Sequence, residues 1–144
     1  MSGFRNTAKT DRNGGSNILN DILLTKDGTL GRVAIVRDDV KICINQSVAL
    51  LRLKDNTNVD PLFFMIMLMS PVYQEKMIAD AGGGTIKHIY ITKVDKMMCA
   101  IPCLEEQHLI AAFLSDFDEA IAAAKKELEL WKELKKGLLQ QMFV

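Results

Sequence analysis

The 144-residue sequence is sparing with proline and cysteine, three of each, and carries no surplus of either charge, with 18 basic against 18 acidic residues. Zero net charge makes the whole chain neither a polybasic nucleic-acid binder nor an acidic tail. It argues against strong nonspecific DNA binding by this chain alone, while leaving a local basic face open. Cys43, Cys99 and Cys103 form no CxxC pair and have no histidine at zinc spacing, so no metal site is expected. Cys99 and Cys103 flank Pro102 and read as core or interface thiols. An odd cysteine count without a secretory signal points to a reducing, cytoplasmic setting. The opening MSGFRNTAKTDRNGG lacks the apolar region of a signal peptide, and the longest apolar run, Leu62 to Met69, is too short to span a bilayer. The expectation is a soluble intracellular protein with no membrane partner. HExxH, GxSxG and methyltransferase-type cofactor loops are missing, and nothing is spaced to form a triad with His88, so neither an enzyme nor a cofactor is expected.

What is present is dominated by the C-terminal stretch. Pro102 disfavours helical geometry at Ile101, and no Pro or Gly follows until Gly137. Glu105 and Glu106 suit the positive end of a helix dipole, and Lys132, Lys135 and Lys136 lie near the other end. Glu129–Lys132 and Glu133–Lys136 are spaced to pair along the surface. Leu114, Phe117, Ile121, Ala124, Leu128, Trp131 and Leu138 recur in alternating steps of three and four, the heptad pattern of a coiled-coil seam. Lys135 falls on that seam, and Leu134 with Leu138 continues a neighbouring line, so the repeat shifts near its end. A helix of about 37 residues, roughly 55 Å at 1.5 Å per residue, is longer than so short a chain can cover. Such a helix either folds back on its own domain or meets a partner helix, from another copy or another protein; the length of the seam favours the partner.

Upstream, residues 1–16 carry no periodicity and end in Asn13-Gly14-Gly15-Ser16, which reads as a flexible arm; Arg5, Lys9 and Arg12 either touch phosphate or are solvated. Asp21–Thr25 and Val33–Val36 read as strands joined by Lys26-Asp27-Gly28-Thr29-Leu30-Gly31-Arg32. Ile42 to Leu53 adds two extended pieces around Asn45-Gln46-Ser47. The loop has no Gly-Lys-Ser/Thr ending and no following helix pattern, so it is either a plain tight turn or a rigid platform offering Lys26, Thr29 and Arg32 to DNA. Asp60-Pro61 and Ser70-Pro71 are cap-and-proline starts of two helices, the first apolar on every side. Three glycines, Gly82 to Gly84, precede Thr85, Lys87 and His88, which can donate to phosphates or base edges. Thr92 to Asp95 resembles a capping box, and Met97 to Ile101 reads as a last strand. The fold class expected is α+β: a small, mostly antiparallel sheet with short helices, then one long coiled-coil helix. The divisions are 1–16, 17–101 and 102–144.

Taken in order, DILLTKDGTLGRVAIV, INQSVALLRL, FFMIMLMSPVYQEKMI, GGGTIKHI, IPCLEEQHLIAAFLSDFDEAI and LKKGLLQQMF resemble the specificity subunit of type I restriction-modification systems, over about Asp21 to Val144. The resemblance implies a target-recognition domain (17–101) and a spacer and docking helix. It implies double-stranded DNA as partner, together with methyltransferase (modification) subunits and, through them, restriction subunits that hold the catalytic residues. In the family two recognition domains read a split site across two antiparallel helices. Here one unit is present and it starts late, so a natural partial product or a fragment is expected, completed as a homodimer through the seam. DNA readers would be Lys26, Thr29, Arg32, Gln46, Thr85, Lys87 and His88, with Arg suited to guanine and Gln to adenine. The alternative is a truncated protein-binding or regulatory fragment that assembles through its helix without reading DNA.

Overall fold

The computed structural model describes residues 4–6 (backbone only), 19–38, 42–53, 57–79, 81 and 87–143. Four strands, β1 (Phe4–Asn6), β2 (Ile22–Thr25), β3 (Val33–Ile35) and β4 (Val48–Leu53), form one sheet in the order β1-β4-β2-β3. Every pairing is antiparallel, with Ile22 opposite both Ile35 and Leu51, and Leu24 opposite both Val33 and Ala49. The alternation of a half-buried sheet is plain in this register. Ile22, Leu24, Ala49 and Leu51 are buried on one face, while Leu23, Thr25, Val48 and Leu50 are only partly covered.

Two short helices follow, α1 (Pro61–Met69) and α2 (Pro71–Ala79). Asp60 caps α1 through Oδ1, which accepts from the Phe63 amide at 2.7 Å, and Pro61 opens the first turn with no N–H to satisfy. Phe63, Phe64, Met65, Met67 and Leu68 are buried, and α1 packs on β3. At about 1.5–3 kcal/mol for each large side chain removed from water, α1 is the main apolar contribution to the core. Ser70 breaks the two helices apart: its amide donates to Met67 at 3.1 Å, and its carbonyl accepts from Gln74 at 2.9 Å. Val36, Met77, Ile89, Ile91 and Val94 are also buried in the first unit.

Four details differ from the expectations. Phe4–Asn6, placed in an unstructured arm, is the edge strand β1, with the rest of 1–16 outside the described residues. The 42–45 piece is not a strand; Ile42 and Ile44 are exposed and Asn45 starts a turn instead. The short helix α3 runs Ile91–Asp95, capped at Tyr90 without a side-chain bond, so Thr92 is inside it rather than at its cap. Burial of Ile91 and Val94, three residues apart on one face, decides its start. Residues 97–101 are not a strand either. The Met97 amide is taken by Val94 at 3.1 Å and the Ala100 amide by the Tyr73 hydroxyl at 3.2 Å, in place of a neighbouring strand.

The last element, α4 (Leu104–Met142), is one helix of 39 residues with Glu105 and Glu106 in its first turn. It continues through Gly137, so the lysines precede its last turn. Lys132 pairs with Glu129 at 2.7 Å. The chain divides into two compact units, Met1–His108 and Leu109–Val144, so the opening of α4 belongs to the first.

Candidate nucleic-acid interface

The β2–β3 connection is held by its own backbone and by two neighbours. The Thr25 amide donates to Arg32 O and the Gly31 amide to Thr25 O, both at 2.9 Å, which closes the loop. The Thr25 hydroxyl donates to Thr29 O and accepts from the Arg32 amide at 2.9 Å, filling its interior. Gly28 and Gly31 adopt φ of 72° and 77°, a region that side chains with a Cβ rarely enter. At Gly31 an added Cβ would also lie 2.2 Å from Gln74 Oε1. Gln74 sits there because its Nε2 donates to Gly31 O and Leu68 O, each at 2.7 Å, tying the loop to α1.

Lys26 is the junction of three segments. Its amide donates to Ser47 O at 2.8 Å, and its carbonyl accepts from the Ile89 amide at 2.9 Å. Asp27 and His88 form an isolated antiparallel bridge, and His88 Nδ1 is hydrogen-bonded to Asp27 Oδ1. Lys26 Nζ lies 3.3 Å from Asp27 Oδ2. The bond to His88 holds the Asp27 carboxyl below its ordinary 3.8, with partial burial opposing and Lys26 adding to the lowering. Tyr90 stands edge-on to His88 at 5.2 Å between ring centroids. On the third segment Asn45 Oδ1 accepts from the Ser47 amide at 3.0 Å, a turn that leaves Gln46 exposed at its tip.

The structure thus gathers the candidate readers from three stretches of sequence. Thr29, Arg32, Gln46 and Lys87 are exposed. Lys26 is partly occupied by Asp27, and His88 commits one ring nitrogen to the clasp, so both also serve the loop's own structure. Thr85 lies outside the described residues. In the second unit Leu114, Phe117, Ile121, Ala124, Leu128, Trp131 and Leu138 are all exposed in the single chain. Among the described residues no cluster of His, Cys, Asp or Glu could hold a metal ion. No helix is long and apolar enough to cross a membrane, among the same residues.

Two polar anchors escaped the sequence reading. Arg52 meets the buried Asp21 carboxylate two-handed, Nε to Oδ1 at 2.7 Å and Nη2 to Oδ2 at 2.6 Å. Gln107, 0% exposed, accepts from the Asp60 amide at 2.8 Å through Oε1 and donates through Nε2 to Asn58 O and Pro102 O, both at 2.9 Å. Its position was legible: Gln107 lies one heptad before Leu114, a polar residue on the apolar phase of α4.

The family model for the type I restriction modification DNA specificity domain matches residues 7–130. The chain belongs to that family. This specificity domain is 34% identical over 91 residues to the type I restriction enzyme EcoBI specificity subunit of Escherichia coli, covering 63% of the chain and 19% of that protein. It is 28% identical over 131 residues to the putative MjaX specificity subunit of Methanocaldococcus jannaschii, covering 88% of the chain and 31% of that protein. The crystal structure of the S subunit from M. genitalium superposes with a TM-score of 0.56 at 31% identity, over 73% of the chain and 28% of that one. A second solved structure, of a type I R-M system, shares the fold at a TM-score of 0.64 and 24% identity, over 83% of the chain and 28% of that one. The specificity domain spans less than a third of each of these relatives.

Proposed function

We propose that the chain is the DNA-recognition component of a type I restriction-modification complex, non-catalytic and cytoplasmic, which positions methyltransferase and restriction subunits on a split site. The observation that carries this is the convergence on Lys26 of three segments bearing exposed donors, within a domain of the specificity family. Arg32 and Lys87 supply charge for phosphates or guanine, Gln46 an amide for adenine, and Thr29 a hydroxyl. The second half-site would be read by a second copy. The exposed seam of α4 supports a two-fold pairing in which the same residues meet on both protomers.

The test is selection from a random pool of duplexes by the chain with methyltransferase subunits present. A single bipartite sequence should be enriched, with two equivalent halves if the dimer forms. Arg32→Ala and Lys87→Ala should each weaken binding and lower the salt dependence by about one in log–log slope if they hold phosphates. Enrichment of no sequence with the methyltransferase present would overturn the proposal.

A further inference from the structure

Beside the converging loops, with which it shares Ile89 and Tyr90, the first unit contains a concavity of about 430 Å³ between α2 and α3. This falls in the size range of ligand and anchor pockets, about 300–1,000 Å³. Its lining holds three methionines, Met77, Met97 and Met98, with the buried Ile89 and Val94 at its floor. Met98 at the mouth is 80% exposed, a large apolar side chain left in water. Its rim carries Lys76 from α2 on one side and Lys93 and Lys96 from the α3 segment on the other, and no carboxylate among the described lining residues. Tyr73 and Tyr90 support two of these ammonium groups, Lys76 at 5.0 Å and Lys93 at 5.6 Å from the ring centroids.

We propose that this hollow docks an acidic amphipathic helix of a partner protein, its apolar anchors on the methionines and its carboxylates on Lys76 and Lys96. Methionine is unbranched and polarizable, and methionine-rich surfaces receive the apolar face of amphipathic helices by adapting to it. Duplex DNA fits less well, because a phosphate backbone gains nothing from thioether and aliphatic carbon. Cations on opposite sides of the floor match a helix whose carboxylates flank its anchors at spacings of three and four residues. This inference is independent of DNA reading by the converging loops.

The probe is a fluorescein-labelled helical peptide of Leu, Phe, Ala and Glu with one apolar face, titrated with the full chain and followed by anisotropy. Saturable binding is expected, lost when the same composition is scrambled so that the apolar face disappears. The double variant Lys76→Glu/Lys96→Glu should weaken the acidic peptide by about tenfold or more, and should bind a Lys-for-Glu version that the parent chain refuses. That gain shows the variant is folded. Met98→Glu, at an exposed position, should also weaken the acidic peptide. The proposal is overturned by absent or unsaturable binding, by equal binding of the scrambled peptide, or by indifference to both variants. It is equally overturned if the double variant loses a short duplex DNA while keeping the peptide.

Discussion

Gln107 uses one uncharged side chain to satisfy an amide from the chain before α1 and two carbonyls, Asn58 O and Pro102 O. Gln107→Leu is expected to leave the Asp60 amide without its partner and to cost about 1–3 kcal/mol, measurable as a lowered urea midpoint of the first unit. At the loop, Gly31→Ala should destabilise more than Gly28→Ala. Both positions have positive φ, about 1–2 kcal/mol for a side chain there, but only Gly31 also faces Gln74; around Gly28 there is open space. Adding Gln74→Ala to Gly31→Ala should recover part of that difference, read as non-additivity in a double-mutant cycle. Asp27 gives the loop an acid limit. Because its carboxyl titrates below the ordinary 3.8 when folded, the clasp to His88 contributes stability above that value and loses it as pH falls through the lowered one. Asp27→Asn should remove that acid-side step from the pH dependence of unfolding.

Among the elements, those that announce themselves locally are legible from sequence. Asp60-Pro61 starts α1 because cap and proline chemistry act within one turn, and the apolar run after it fits a buried helix. The heptad of α4 is likewise written in its own residues. β1, by contrast, is a strand because β4 offers Phe4–Asn6 a free edge, and no pattern in three residues declares that. The 97–101 segment failed as a strand for the converse reason: its apolar residues look extended, yet its amides find a helix carbonyl and a tyrosine hydroxyl first. The candidate readers were recognisable as donors on loops, but their gathering was not. It rests on backbone bonds of Lys26 to residues twenty and more positions away. For α4 the expected outcome concerns association. Leu128→Lys places a charge on the proposed seam and should shift the chain to a monomer in sedimentation equilibrium at micromolar concentration, with helicity by circular dichroism little changed.

For the molecule as a whole, the candidate loops and the start of α4 are fastened separately within the first unit. The loops around Lys26 are fastened by their own backbones and by Gln74, whereas the opening turn of α4 is fastened by Gln107 to Asp60, Asn58 and Pro102. These two sets of bonds share no residue. A chain whose 26–32 and 42–47 loops are exchanged for those of another family member should therefore retain its unfolding free energy within about 1 kcal/mol, provided Asp27 is kept and glycine is kept where φ is positive. What such a chain selects from a duplex pool should change. On the proposed reading, the glutamine bolt would separate inheritance of the frame from inheritance of the text: a new specificity would be acquired by grafting loops, without relearning how the helix begins.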